Sequence, residues 1–520
     1  MTTALAVIFS ALLALAYCAQ MARWLRVLQR EHYDPTSLRR FLARWSSPQL
    51  PSAKVRARRA RRPITLSHVL ILAMIVTVVL REWDLLVVAA VTYGLFCPQG
   101  LSVRGRTSPL AWTRRLRATA IVAGVFSLIV AGLGALAPHP FLGAVAMVLA
   151  VPPVLDLTTR VLRPYEEHAA QRFVDQAVKR LDRVRPRIVA ITGSFGKTST
   201  KNHLSALLGD EYGVVASPRS YNNRAGLSRA INENLNDGTR IFIAEMGTYG
   251  PGEIRELASW CKPEIAVVTA IGPVHLERMG SIDAIEEAKR EITETAATVV
   301  LSVDDPRLAR WPGSLRAAGK RVITAASRAD ADVRVATDAK RWTVVVDGET
   351  LATIDEIIGV QPTNLACALG AALALGVSGE QLVGRLSHVV PVANRLNVAS
   401  APSGAVVVDD TFNANPESAA AALDVLSSLD VVGRRVVVTP GLVELGRDQY
   451  GENLRLAQLV EAASADLVVV GRTNALALAA GSSRPPHRFD TRENAVAWVR
   501  ATLGQGDAVL FLNDLPDHYP

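Results

Sequence analysis

Apolar runs separated by arginine-dense loops fill the first 160 or so positions of this chain, and they restrict its fold more than any other feature. Lipid offers no hydrogen-bond partners, so a run buried there folds as a helix that satisfies its own backbone. The runs are Leu5–Ala19, Ile64–Leu80, Leu85–Phe96, Ala118–Ala137 and Phe141–Leu157. The second, fourth and fifth approach or exceed the roughly 17 residues that a spanning helix needs. The third is short and reads as a tilted or partial span. The first has the length of a secretory signal core, but no basic residue precedes it and no small-residue cleavage site clearly follows. The expectation is a membrane region over residues 1–160 with about five transmembrane helices.

Charge supports a membrane more than a nucleic acid. The net charge of +9 comes with arginines crowded between the apolar runs. Residues 23–62 and 104–117 are basic, Arg81-Glu82-Trp83-Asp84 is balanced, and Ala137-Pro138-His139-Pro140 carries no Lys or Arg. With the N-terminus outside, both basic loops and everything after Arg160 fall in the cytoplasm, giving a multi-pass protein of the cell membrane whose remaining domains are cytoplasmic. The four cysteines, Cys18, Cys97, Cys261 and Cys367, form no CxxC pair, so neither a zinc site nor a disulfide framework is indicated.

Beyond the membrane region, Phe173, Val174, Ala177, Val178 and Leu181 recur at helical spacing, predicting an amphipathic connector. Strand-like runs then alternate with helical stretches, at residues 240–244, 264–271 and 298–303, which predicts a parallel sheet covered on both faces. A second set, "GAVVVDD", "RRVVVTPG", "ADLVVVG" and "DAVLFL", predicts a smaller doubly wound domain. The fold class is therefore α/β: a central domain over 161–393 and a C-terminal Rossmann-like domain over 394–520, the boundary lying in "VVPVANRLN".

The chemistry starts at "AITGSFGKTSTK". A strand meets a glycine-bracketed turn and then Lys197-Thr198. Ile191 stands where the strict P-loop has its first glycine. Gly193, Gly196, Lys197 and Thr198 still supply backbone N–H groups, a lysine for β- and γ-phosphates and a hydroxyl for Mg²⁺. Without further support the lesser alternative is a glycine turn at a helix start with an incidental lysine, and the preceding strand and following helix weigh against it. Glu245 ends the apolar strand "RIFIAE", where a carboxylate reaches a metal beside phosphates or merely caps a loop. "IAVVTAIG" puts His275 at the same strand-end edge. Lys289, in "AIEEAKREI", reads from its neighbours as one member of a solvated ion-pair face.

Taken in order, "ITGSFGKTSTK", "SYNNRAGL", "AEMG", "TAIGPVHLERMGS", "EAKREI" and "DDTFNANPES" resemble the ATP-dependent Mur ligases of peptidoglycan synthesis, and among them the D-alanyl-D-alanine-adding, MurF-like branch. The resemblance covers residues 186–511. It implies that Gly193, Ser194, Gly196, Lys197, Thr198 and Ser199 hold ATP phosphates and that Thr198 and Glu245 bind one Mg²⁺. It further implies that His275 helps bind a second Mg²⁺, and that Lys289 is a carbamylated lysine whose added carboxylate faces metal. Lys197, His275 and Lys289 are thus the implied catalytic set. Asn364 matches an asparagine near adenine, Arg395 one that reaches ATP on domain closure, and Asp410 a residue contacting ribose. Asn222, Asn223, Phe412, Asn413 and Asn415 fall on substrate-side motifs.

The family's N-terminal UDP-gripping domain is replaced here by membrane runs and one helix, which turns the expectation toward a lipid-linked precursor in place of, or beside, a soluble UDP-linked one. Phe412 stands for a tyrosine, and Leu512-Asn513-Asp514-Leu515-Pro516 stands where the branch has a Lys-Gly-Ser run. The amine partner is therefore open among a dipeptide, a depsipeptide and a single amino acid. A membrane-anchored polyglutamate-synthase-like ligase and a non-catalytic ATP-binding scaffold remain as alternatives. No nucleic-acid partner is expected.

Overall fold

The computed structural model describes residues 3–31, 33–34, 38, 41, 66–98, 101, 103, 110–137, 139–218, 221–338, 340–392, 396–411, 414–513 and 515. It divides into two compact units, one formed mainly by residues 1–168 and the other by residues 169–470 with 477–514.

The first unit is helical. Thr3–Arg30 and Arg114–Gly134 are each long and apolar enough to cross a membrane, and Leu142–Leu149 with Val151–Val184 pass the same test as a pair bent by 64°. Leu66–Leu80 and Trp83–Phe96 have 15 and 14 residues. At a rise of about 1.5 Å per residue they fall short of a hydrocarbon core of roughly 30 Å. Among the described residues there are thus two spanning candidates, or three with the bent pair, against the five apolar runs. Composition did not reveal where the helices stop. The Phe141–Leu157 run is interrupted because Pro152 and Pro153 cannot continue the preceding helix but fit the first turn of a new one. The basic stretches 42–65 and 104–109, on which the orientation argument leans, lie outside the described residues.

Small residues bring these helices close. A Cβ on Gly94 would stand 2.6 Å from the Ala16 Cβ, and one on Gly134 2.4 Å from the Gly143 Cα. Where Trp83–Phe96 ends, its orphan carbonyls are met by buried side chains of the first helix. Gln20 Nε2 donates to Gly94 O (3.0 Å) and Cys97 O (2.6 Å), and Arg23 donates to Gly94 O (2.6 Å), Leu101 O (3.0 Å) and Leu95 O.

The second unit contains two sheets. Strands β1 (Arg187–Thr192), β2 (Val214–Ala216), β3 (Ile241–Glu245), β4 (Ile265–Val268), β5 (Thr298–Ser302), β6 (Arg321–Ala326), β7 (Val333–Asp338), β8 (Arg341–Val346) and β9 (Glu349–Asp355) form a nine-stranded sheet in the order β2-β3-β1-β4-β5-β6-β7-β8-β9. The pairs from β2 to β7 are parallel, while β7–β8 and β8–β9 are antiparallel. The strands expected to lie in a parallel sheet, β3, β4 and β5, do so, and the antiparallel edge is an addition that the sequence reading did not include. Asp347 (φ 50°) and Gly348 (φ 83°) make the tight left-handed turn that joins β8 to β9 as a hairpin.

Alternate residues of β1 enter opposite cores. Ile188 and Ala190 pack with Phe242, Leu257 and Ile285 on one side; Val189 and Ile191 pack with Leu204, Leu365 and Leu369 on the other. Strands β10 (Asn397–Ser400), β11 (Val406–Asp410), β12 (Arg435–Thr439), β13 (Ala465–Val470), β14 (His487–Phe489) and β15 (Ala508–Leu512) build a six-stranded sheet in the order β10-β11-β15-β12-β13-β14, with only β10 antiparallel to its neighbour. In the larger sheet the connections leave β1 toward β2 and β3, and β3 then crosses back to β4. The carboxyl ends of β1, β3 and β4 therefore flank a switch point, the place where open α/β sheets bind ligands.

Candidate active site

The loop after β1 is shaped by two close approaches. Gly193 has φ 149°, and a Cβ there would stand 2.0 Å from Thr269 Oγ1; Gly196 has φ 82°, and a Cβ would stand 2.3 Å from Asn364 Oδ1. Only glycine fits either position. Ser194 ties the loop to the segment after β4, its N–H donating to Ala270 O (2.8 Å) and its hydroxyl bonding both Gly272 O (3.0 Å) and Gly272 N–H (2.9 Å). The helix Lys197–Leu208 starts at Gly196 with no side-chain cap. Its N-terminal amides and positive dipole end therefore suit an anion. Lys197 Nζ donates to Gly193 O (2.6 Å) and Ser194 O (3.3 Å), which places its ammonium on the loop, and Ser199, two residues on, is half-buried.

Beneath the loop, Glu245 is buried at 4% exposure at the end of β3. Its Oε2 accepts from Thr198 Oγ1 (3.1 Å) and from Lys201 Nζ (3.0 Å), and Asn222 Nδ2 lies 3.4 Å from Oε1. Burial by itself would raise this carboxyl, but Lys201, Lys197 and the hydrogen bonds outweigh it and hold the group below the usual range. Lys201 was missed by the sequence reading. Its signal was there, since Lys197 and Lys201 stand four apart and so share a helix face.

Lys289 is 2% exposed near the end of the helix Ile282–Arg290, which corrects the solvated ion-pair reading of its neighbours. Burial, reinforced by the Lys197 ammonium, pushes it well below the ordinary lysine value against the opposing pull of Glu253 and Glu291. Its amine is thereby biased toward the neutral form. Glu291 meanwhile accepts from the backbone N–H groups of Gly252 (2.7 Å) and Arg255 (2.9 Å), capping the helix Glu253–Cys261.

His275 sits in the left-handed region (φ 54°) immediately before the short helix Leu276–Met279. Its ring packs on Tyr249 at 4.7 Å, and its Nδ1 meets the carboxylate of Glu444 from the loop after β12. Glu444 was not among the expected site residues. Neither was Glu417, whose carboxyl is pushed up to about 7 by burial and by Asp305, with Arg328 opposing. A Cβ on Gly272 would stand 3.5 Å from Glu417 Oε1, so this acid reaches the rim of the glycine loop.

The expected substrate-side asparagines divide. Asn222 joins the Glu245 cluster. Asn223 caps the helix Arg224–Asn234, accepting from Gly226 N–H at 2.9 Å. Asn415 caps the helix Pro416–Ser428, accepting from Glu417 and Ser418 N–H groups at 3.0 Å each. Each of these two oxygens is occupied by its cap, so their visible role is to shape loops. Asn364 lies against Gly196 of the glycine loop, and Asp410 is buried at the end of β11. Phe412, Asn413 and Arg395 lie outside the described residues.

Thr198 and Glu245 present hard oxygen donors of the kind Mg²⁺ selects. No group of three or more His, Cys, Asp or Glu side chains gathers as a complete metal cage among the described residues. The donor set thus fits an ion that takes part of its shell from phosphate oxygens and water.

Comparisons with known proteins agree with this geometry. The family profile described as "Mur ligase middle domain" matches residues 191–372, and "Mur ligase, glutamate ligase domain" matches residues 394–513. The UDP-N-acetylmuramoyl-tripeptide–D-alanyl-D-alanine ligase of Mycobacterium tuberculosis H37Rv is 32% identical over 357 residues, covering 62% of this chain and 69% of the relative. The enzyme of the same description from Bacillus subtilis is 27% identical over 335 residues, covering 62% and 72%. The crystal structure of MurF ligase from Thermotoga maritima in complex with ADP matches at a TM-score of 0.58 with 25% identity, over 66% of this chain and 80% of that one. A glycine loop at a helix start over a buried acid, both family domains in order and relatives of this identity carry one conclusion: the chain belongs to the Mur ligase family, as an ATP-dependent, MurF-like ligase of peptidoglycan synthesis.

Proposed function

We propose that this ligase joins the terminal carboxylate of a muramoyl-peptide precursor to the amine of D-alanyl-D-alanine, at the cytoplasmic face of the membrane in which residues 1–160 are embedded as a multi-pass anchor. Residues 161–393 form the ATP-binding domain of this reading and residues 394–520 the domain that presents the amine. The observation that carries the ligase chemistry is the convergence of Thr198 and Lys201 on Glu245 directly under the glycine loop.

Within this reading the loop amides and Lys197 hold the ATP phosphates and offset charge on the transferring phosphoryl group. Thr198 and Glu245 would hold one magnesium ion, and His275 and Lys289 would serve a second; magnesium held there would supply Lewis-acid polarisation of the phosphoryl oxygens. The neutral Lys289 amine can add CO₂, losing a proton and becoming a carbamate, which turns a potential cation into an oxygen ligand. The substrate carboxylate attacks the γ-phosphorus and ADP leaves; the amine then attacks the acyl phosphate, a proton is lost, and expulsion of phosphate leaves the amide. Asn364, Asp410 and Arg395 are assigned to the nucleoside, and Asn222, Asn223, Phe412, Asn413 and Asn415 to the substrate side.

The apolar helices favour a membrane-held donor as a second reading beside a soluble UDP-linked one. Phosphate release by full-length protein in bilayer nanodiscs tests both, with UDP-linked tripeptide or lipid-linked precursor, each with and without D-alanyl-D-alanine. Release that requires the dipeptide is expected. Release independent of it, or absent with both donors, would overturn the assigned amine step, and the faster donor identifies the carrier.

A further inference from the structure

We propose that Glu444 is a positioning residue that orients His275 for metal ligation, so that docking of the β12 loop completes the metal site. This rests on the reading of His275 as a metal ligand. A carboxylate can only accept, so the ring nitrogen facing Glu444 carries the hydrogen: Nδ1–H donates to Glu444, which leaves Nε2 as the nitrogen that a metal would take. A second hydrogen bond fixes the approach, with Glu277 N–H donating to Glu444 O at 3.2 Å.

The loop that presents Glu444 is braced from behind. Asn453, fully buried on the helix Gln449–Ala462, accepts from Leu442 N–H (2.8 Å) and donates to Leu442 O (2.9 Å) and Gln449 O (2.7 Å). Gly441 N–H donates to Thr439 Oγ1 at 2.9 Å. Gly446, at φ 57°, lies against the Glu277 backbone, where an added Cβ would stand 3.5 Å away. Glu444 and His275 are both left-handed non-glycine residues, at φ 63° and φ 54°, and they touch through their side chains. Such conformations persist where the surroundings over-determine them and cluster at functional sites. Tyr249 packs on the imidazole from another direction, so the ring is held by a carboxylate and an aromatic edge. A histidine ligand whose second nitrogen is fixed by a carboxylate is the arrangement in which outer-shell partners tune a metal.

The test uses Mn²⁺ as the probe, with full-length protein in nanodiscs. Free Mn²⁺ is counted by electron paramagnetic resonance, and nitrogen modulation from a bound imidazole is read by electron spin echo. Wild type is expected to show imidazole modulation that His275→Ala removes. Glu444→Ala is expected to weaken Mn²⁺ binding about 10- to 100-fold and to lose the modulation. Glu444→Gln keeps an acceptor for Nδ1–H and is expected to retain both, which also covers the case of an alanine variant that folds poorly. Unchanged affinity and modulation in Glu444→Ala would overturn the positioning role, as would equal loss in the alanine and glutamine variants. Absence of imidazole modulation in wild type would overturn the His275 reading together with the proposal.

Discussion

Lys201 places its ammonium 3.0 Å from the Glu245 carboxylate, with the two side chains only 3% and 5% exposed. The pair sits below the glycine loop, so the acid at the candidate site is also the counter-charge of a buried lysine. Removing one partner of such a pair strands the other charge. Lys201→Met is therefore expected to lower unfolding free energy by about 3–5 kcal/mol at neutral pH. Because the folded state depresses the Glu245 pKa, its contribution is present above the unfolded value of about 4.3 and is lost as pH falls through the folded one. The deficit of Lys201→Met should accordingly shrink in acid, which denaturant titrations at neutral pH and near pH 4 would check.

Lys197→Ala separates catalysis from folding. The ammonium donates to carbonyls of its own loop, so its loss should change unfolding free energy by less than about 1 kcal/mol. Phosphate release should fall by at least ~100-fold, the scale of removing a donor that meets charge developing in the transition state. A stable protein with undiminished turnover would remove Lys197 from the site.

Gly196→Ala should abolish nucleotide binding. The position combines φ 82° with only 2.3 Å from a would-be Cβ to Asn364 Oδ1. Alanine would strain the loop, at about 1–3 kcal/mol, and push Asn364 away from it. Titration with a fluorescent ATP analogue and a thermal melt would show loss of binding with a lowered Tm.

Glu417 gives a pH dependence of the opposite sign to Glu245. Its folded pKa is raised to about 7, first by burial and then by Asp305. Its stabilising contribution is complete below the unfolded value of about 4.3 and is lost as pH rises through about 7. Glu417→Gln should therefore raise Tm relative to wild type at pH 8 and lose that advantage at pH 5. Parallel melting curves at the two pH values would reveal a charged, solvated Glu417 as a pH-independent difference.

Much of the second unit was legible from local pattern. Short β-branched runs alternating with helical stretches have few ways to bury both faces other than a doubly wound sheet, and a strand feeding a glycine turn and Lys-Thr announces its own helix start. The edge strands β7–β9 escaped because their half-buried alternation, interrupted by charges, is a weaker signal than the continuous apolar runs of buried parallel strands. In the first unit, hydropathy located apolar segments but not their breaks, which depend on Pro152-Pro153 and on carbonyls satisfied by Gln20 and Arg23 from another helix.

By itself, the sequence determined the alternating α/β pattern around β1, β3, β4 and β5, the glycine turn before Lys197 and the family motifs, since each is encoded by neighbours within a few turns of chain. Tertiary structure alone decided that Lys289 is buried and biased toward a neutral amine, that Lys201 shares Glu245 with Thr198, and that Glu444 faces His275 across 169 residues of chain. Burial and pairing are set by whichever side chains the fold brings within a few ångströms, and separation along the chain carries no record of that distance.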